Sequence, residues 1–171
     1  MEKGKQVGES SVVMSQVMNP LDANPAGNVH GGVIMKLIDT AAGAVGVRHA
    51  RANVVTASID RVDFHSPVFI GDLLTLRAAI NMVGKTSMEV GVRVETENLV
   101  SGRVRHTASA YLTMVALGPD GRPIDIPSLI LETKEQERRN REARARRKMR
   151  LEERQNEKAC QQGPHDRGDD R

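Results

Sequence analysis

The sequence predicts an α+β fold in which an antiparallel β-sheet packs on one long helix. Residues 30–50 have the apolar spacing of a helix, and four segments after them alternate between apolar and polar residues. No helical segment separates these four strands, whereas parallel strands need long crossovers that are usually helical. The pattern therefore favours an antiparallel sheet over a parallel sheet with helices between its strands.

The chain before the long helix predicts one strand and one loop. Residues 10–18 (SSVVMSQVM) are typical of a short β-strand, which Asn19-Pro20 ends. Residues 19–28 contain two prolines, one glycine and three asparagines, a composition typical of a loop. Within residues 30–50, the broad apolar face predicts a helix closely wrapped by other structure; it comprises Val33, Ile34, Leu37, Ile38, Ala41, Ala42 and Val45.

The four later strands are predicted at residues 53–64, 72–83, 86–97 and 103–117. The third shows the clearest alternation, which predicts one buried face and one solvent-exposed face; Met88, Val90, Val92 and Val94 alternate there with Glu89, Gly91, Arg93 and Glu95. The domain prediction is a flexible N-terminus at 1–9, a globular domain at 10–131, a charged helix at 132–160 and a disordered tail at 161–171. The charged helix is expected to be solvated or to cross between subunits of an oligomer.

Composition excludes several classes of protein. Residues 1–131 carry 12 basic and 12 acidic residues, so the net charge of +3 comes from the tail, and aromatic residues make up only 2%. Both observations argue against nucleic-acid binding. Cys160 is the only cysteine, and the histidines show no ligand spacing, so we expect no metal. The absence of a leader-like N-terminus or an apolar run of about 18 residues predicts a cytoplasmic protein without a membrane span.

The start of the long helix offers a site for a negatively charged oxygen. Gly31 and Gly32 allow close approach to the backbone, and first-turn N–H groups have no partner within a helix. Such donors can stabilise the oxyanion that develops in acyl transfer. The two glycines would equally well permit tight packing of the helix on the sheet.

Asp39 is the candidate general base. It follows Ile38 and precedes Ala41 and Ala42, and apolar surroundings disfavour the charged carboxylate. A solvated residue at the outer edge of the helix would give the same pattern. Asn28, taken alone, reads as a side chain that caps the loop.

Two strings, GNVHGGVIMKLID and RHARANVVTASIDRVDFHSPVFIGD, resemble the cytosolic (brain-type) acyl-CoA hydrolase branch of the hotdog-fold thioesterases. The resemblance runs from about residue 12 to residue 131. It implies a hotdog fold, which is an antiparallel sheet wrapped around a long helix, and hydrolysis of acyl-CoA to fatty acid and CoA. It also implies that sheets of two chains join into a homodimer, often assembled further as a trimer of dimers.

The resemblance further assigns roles to residues of the site. Asn28 of one chain and Asp39 of its partner would form each composite site, with Asp39 acting as base or nucleophile. The backbone of Gly31 or Gly32 would hold the carbonyl oxygen, and His30 would support the loop. No cofactor is expected, since CoA is part of the substrate.

Basic and hydroxyl-bearing residues are candidates for binding the CoA phosphates; they are Lys85, Thr86, Ser87, Arg103 and Arg105. A nucleoside-triphosphate loop at Gly84-Lys85 is not favoured, because Ala79 stands where a glycine is needed and a strand follows. Two alternative functions remain, a non-catalytic acyl-CoA sensor and an enoyl-thioester hydratase, because fold alone does not decide among them. Hydratases of this fold usually carry an Asp and His pair here, whereas this loop offers Asn28 and His30.

Overall fold

The computed structural model describes residues 4–161 and has an α+β architecture, as the sequence predicts. The strands are β1 (Lys5–Gln6), β2 (Val12–Val17), β3 (Asn53–Phe64), β4 (Asp72–Val83), β5 (Ser87–Asn98), β6 (Arg103–Leu117) and β7 (Leu129–Ile130). The helices are α1 (Val7–Ser10), α2 (Gly31–Ala50) and α3 (Lys134–Gln161), with a 3-10 helix at Pro20–Asp22. Five strands form one antiparallel sheet in the order β2-β4-β5-β6-β3, so β2 and β3 are its edges.

Helix α2 lies on one face of this sheet, and five of the 20 buried residues of the hydrophobic core belong to it. Its buried residues are Ile34, Ile38, Ala41, Ala42, Val45, Gly46 and His49. At Gly46 the helix approaches β3 so closely that a Cβ would lie 2.9 Å from a methyl group of Val54. The small residues predicted to permit tight wrapping therefore do so, and burial of this apolar face is the main stabilising term of the fold.

The outer face of the sheet differs from the prediction. On β5, Met88, Val90, Val92 and Val94 face α2 and are buried, as expected. Glu89, which the alternation places on the opposite and solvent-exposed face, is 0% exposed. The reason is that α3 lies across the outer face and covers the part of it that contains Glu89.

The composition of helix α3 suggested a solvated helix, but part of α3 is buried against the sheet. Its own residues Asn140 and Ala143 are buried, and the Asn140 amide donates to the Asn81 carbonyl oxygen at 2.8 Å. Arg146 forms an ion pair with Glu89 at 2.6 Å and stacks 3.8 Å above the Tyr111 ring. A sequence pattern of apolar residues could not reveal this docking, because the contact is a row of polar side chains.

The first residues described also differ from the expected flexible N-terminus at 1–9. Lys5 and Gln6 pair in parallel with Leu129 and Ile130, which joins β1 to β7. Ser10 is buried and its hydroxyl lies 3.0 Å from Nδ1 of buried His49. The last predicted segment, 161–171, lies outside the described residues except for Gln161, which ends α3.

His49 links three parts of the fold. Its Nε2 lies 2.9 Å from the Pro127 carbonyl oxygen, and its own carbonyl accepts from Lys5 Nζ at 2.6 Å. Burial lowers the pKa of His49 below its ordinary value of 6.5. Over residues 4–161, no helix combines the length and the apolarity that crossing a membrane requires.

Candidate active site

An open cavity of about 320 Å³ lies where the loop before α2 meets the segment between β3 and β4. Its lining includes Asn24, Asn28, Gly31, Phe64 and His65. The loop is folded onto itself, since the Asn24 N–H donates to the Asn28 carbonyl at 2.7 Å. Asn28 also forms an isolated antiparallel bridge to Phe69, which fixes the loop against the rest of the sheet.

Asn24 presents an ordered side-chain amide to this cavity. Its Oδ1 accepts the N–H groups of Ala26 at 2.9 Å and Asn28 at 3.2 Å, as in a side-chain turn. With the carbonyl end held in this way, the NH₂ end makes no hydrogen bond to another residue of the described chain. Asn24 therefore offers a preorganised donor that the sequence analysis did not single out.

The first turn of α2 distinguishes the two glycines. His30 is the N-cap, and its Nδ1 accepts the Gly32 N–H at 2.9 Å, while its carbonyl accepts the Val33 N–H at 2.9 Å. The Gly31 N–H has no acceptor within residues 4–161, and Gly31 lines the cavity. Of the two predicted oxyanion donors, only Gly31 therefore has its N–H unpaired within the described residues, and His30 caps the helix through Gly32.

Asp39 lies elsewhere in the same chain. It is eight residues after Gly31, which is about 12 Å along the helix axis, and it is absent from the cavity lining. Its carboxylate accepts a 2.5 Å hydrogen bond from the Thr56 hydroxyl, which also approaches the sulfur of Met114 at 3.4 Å. Contrary to the predicted apolar surroundings, Asp39 is exposed in the single chain.

Thr56 is a candidate residue that sequence reasoning missed. It lies on edge strand β3, next to a register shift between Thr56 and Ser58, and holds the Asp39 carboxylate in place. Nothing in the alternation of β3 marks it, because a threonine on a strand is ordinary. Asn24, in contrast, could have been considered from its place in the same turn-rich segment as Asn28.

The five candidates for CoA binding do not form one cluster. Lys85 lies in the turn at the start of β5, whereas Arg103 pairs with Asn98 at its far end. The 12 residues of β5 put these two ends on the order of 35 Å apart. Thr86 and Ser87 adjoin Lys85, and their carbonyl groups accept the N–H groups of Ala116 and Gly84.

Arg105 is occupied within the fold. Its guanidinium pairs with Asp72 at 2.9 Å, and the Asp72 side chain is 1% exposed. It also lies 5.2 Å from the Phe69 ring, next to the bridge that holds Asn28. Removing Arg105 would leave a buried carboxylate uncompensated, so its evident role is to support this loop.

No group of three or more histidine, cysteine, aspartate or glutamate side chains in the described part of the chain could hold a metal ion. The arrangement therefore offers two sets of groups, separated within one chain. One is a cavity with the Gly31 N–H and the Asn24 amide. The other is an exposed carboxylate fixed by Thr56.

A family model and individual relatives assign the chain to the same family. The model of the thioesterase superfamily matches residues 26–102. The chain is 35% identical over 142 residues to the cytosolic acyl coenzyme A thioester hydrolase of Rattus norvegicus, which is 82% of this chain but only 37% of the rat protein. It is 40% identical over 128 residues to the uncharacterized acyl-CoA thioester hydrolase YkhA of Bacillus subtilis, covering 75% and 74% of the two chains.

Solved structures agree with this assignment. An acyl-CoA hydrolase from Staphylococcus aureus, solved with butyryl-CoA, CoA and CoA disulfide, superposes with a TM-score of 0.84 at 33% identity, covering 91% of this chain and 95% of that chain. The same hydrolase has been solved with an aspartate, a threonine or an asparagine replaced by alanine. An apo-hexameric acyl-CoA thioesterase has a TM-score of 0.86 at 37% identity, covering 89% and 97%. The chain belongs to the thioesterase superfamily and has its hotdog fold.

Proposed function

We propose that this protein hydrolyses fatty acyl-CoA to free fatty acid and CoA in the cytoplasm. One observation carries the proposal. In the Staphylococcus aureus hydrolase the replaced asparagine stands 15 residues before the aspartate, and the threonine stands 17 residues after it. Asn24, Asp39 and Thr56 have the same spacing here, and Thr56 donates directly to Asp39. The rat relative is named a cytosolic hydrolase, which supports the location.

This spacing favours Asn24 over Asn28 as the functional asparagine. Asn28 stands only 11 residues before Asp39, and its backbone N–H and C=O both bond to Asn24. Both side chains line the cavity, but the two N–H groups that Asn24 Oδ1 accepts orient the Asn24 amide, whereas no hydrogen bond within the described residues orients the Asn28 side chain. We therefore assign the catalytic amide to Asn24 and a positioning role to Asn28.

The chemistry follows from these groups. Asp39 accepts a proton from the attacking water, which adds to the thioester carbonyl carbon. Negative charge that develops on the carbonyl oxygen is stabilised by the Gly31 N–H at the positive end of α2 and by the Asn24 amide. Collapse of the tetrahedral intermediate breaks the C–S bond, and the CoA thiolate takes up the proton. This scheme draws only on groups of the chain, and CoA enters as part of the substrate.

Each site requires two copies of the chain. Strand β3 is an edge of the sheet and pairs only with β6 among the described strands, and its Val55 and Ile59 are 41% and 39% exposed. Pairing β3 with its copy would continue the sheet and bury these residues. A two-fold axis there relates the two chains antiparallel, which brings Asp39 of one chain toward Asn24 of the other. The hexameric relative supports further assembly, as a trimer of such dimers.

The CoA phosphates remain assigned to the turn at Lys85, Thr86 and Ser87, with Arg103 as a second candidate. Lys85 and Arg103 are exposed and form no ion pair within residues 4–161. Arg105 is removed from this set, because its charge already compensates Asp72.

The decisive experiment measures release of free thiol from a series of acyl-CoA thioesters of increasing chain length. Wild-type protein should turn over, and Asp39→Ala and Asn24→Ala should each lose most of kcat. Binding of acyl-CoA without thiol release would support a sensor instead. Hydration of an enoyl-CoA with no thiol release would identify a hydratase.

A further inference from the structure

Helix α3 crosses the outer face of the sheet almost at right angles to the strands. Three of its residues contact successive strands: Asn140 contacts β4, Arg146 contacts β5 and β6, and Arg150 pairs with Asp60 on β3. Three steps between strands span about 14 Å. The ten residues from Asn140 to Arg150 rise about 15 Å. The helix therefore reaches the edge of the sheet at Arg150.

Beyond Arg150, no described part of the same chain covers residues 151–157 of the helix. It continues to Gln161, which adds 11 residues and about 16 Å. Residues 151–157 are all exposed, including Leu151 at 49%.

Charge is divided sharply between the two parts of the helix. Residues 138–150 contain eight Lys or Arg and one Glu, whereas residues 151–157 contain three Glu and one Arg. Among the described side chains, those of residues 4–157, no carboxylate lies within 4.0 Å of Arg141, Arg144 or Arg147. No cation of these residues lies within 4.0 Å of Glu153 or Glu157. Two such helices laid antiparallel would place the acidic part of each against the basic part of the other.

We propose that residues 151–161 of α3 cross the subunit boundary and pack antiparallel against residues 138–150 of α3 in a second copy of this chain. The inference rests on the proposed pairing of β3 with its copy. The two-fold axis would then pass half a strand spacing, about 2.4 Å, beyond β3. On the helix, Leu151 lies near this axis. Leu151 meets its own copy at the axis, and Glu153 and Glu157 face the partner's basic segment.

The first test is charge reversal followed by charge exchange. Glu153→Lys with Glu157→Lys should weaken the dimer about tenfold or more, because each exposed pair contributes little but every pair occurs twice. Adding Arg144→Glu and Arg147→Glu should restore association. Glu132→Lys with Glu137→Lys is the matched control, since it makes the same charge change just before α3 and in its first turn and should leave association unchanged. Dissociation constants come from analytical ultracentrifugation, and circular dichroism checks that helix content is retained.

The second test is proximity. Because Cys160 is the only cysteine, a Cys160→Ser background with Leu151→Cys carries one thiol per chain. A short bismaleimide should link two chains through Leu151→Cys but not through Glu132→Cys. Equal dimer affinity in all charge variants, or equal cross-linking at both positions, would overturn the proposal. Thiol release by the same preparations separates this outcome from failure of the proposed function, which would abolish activity in the wild type as well.

Discussion

The strongest test of the composite site is complementation between two inactive variants. Asn24→Ala removes the amide at the cavity. Asp39→Ala removes the carboxylate that lies about 12 Å along α2 from Gly31. Each homodimer then lacks one essential group in both sites. Loss of a general base typically lowers kcat by roughly 100-fold to 10,000-fold, so the background activity of each variant should be negligible.

Mixing the two variants makes the expected recovery calculable. After complete subunit exchange, half of the dimers contain one chain of each kind. Such a heterodimer has one site with both residues intact and one with neither, so about a quarter of all sites are active by symmetry. Thiol release should therefore return to about a quarter of the wild-type rate.

The control replaces Asn24→Ala with Asn28→Ala in the same mixture. If Asn28 only shapes the loop, that variant keeps activity by itself, and mixing adds nothing beyond the average of the two preparations. No recovery with Asn24→Ala, while native mass spectrometry shows that heterodimers have formed, would place each site within one chain. Recovery with Asn28→Ala, which must then be inactive alone, would return the amide role to Asn28.

Four further predictions concern single residues. Thr56→Ala should lower kcat about tenfold with little change in KM, because the Asp39 carboxylate loses its 2.5 Å donor, and Thr56→Ser should retain most activity; equal loss in both would contradict this. Lys85→Ala should raise KM without lowering kcat, an effect that fades at high salt, as expected of a remote phosphate contact. Burial lowers the pKa of His49, so its neutral form stabilises the fold above pH 6.5, and the free energy of unfolding should fall as pH drops below 6.5. Denaturant titrations at pH 7.5 and 5.5 should show a smaller fall for His49→Asn than for wild type. Arg146→Met should lower stability, by less than the about 3–5 kcal/mol typical of a fully broken buried pair, because buried Glu89 loses its nearest cation but keeps Arg150 at 3.6 Å and the Asn81 amide; adding Glu89→Gln should recover much of that loss.

Much of the fold was predictable because its signals are local. The switch from helical spacing to alternation after residue 50 placed α2 and the four long strands within a residue or two of their observed bounds. Helix α3 was predicted as a helix, but its docking was not, since Asn140, Arg146 and Arg150 reach the sheet through polar contacts. Glu89 shows why: alternation reports which face a residue is on, and only a second layer decides whether that face is buried.

The site was less predictable than the fold. Gly31 and Asp39 could be proposed because glycines at a helix start and an acid within an apolar helix are unusual. The bond from Thr56 to Asp39 joins residues 17 apart on different elements, and no sequence period connects them. The side chains of Asn24 and Asn28 belong to one turn, and only the folded turn shows that Asn24 Oδ1 accepts two backbone N–H groups, which orients its amide.

The proposed division of the site between two chains would tie activity to assembly. The oxyanion donors belong to the start of α2, which the fold of one chain completes, whereas Asp39 is fixed by a threonine on β3, the strand that remains an open edge. An exposed carboxylate in bulk water has no reason to act as an efficient base. Burying it at a subunit boundary both removes water and supplies the missing donors, so the isolated chain should be inactive even though its fold is complete. Specific activity should consequently fall on dilution below the dimer dissociation constant. Any change that weakens the proposed contact of α3 with its copy should raise the protein concentration at which this fall begins.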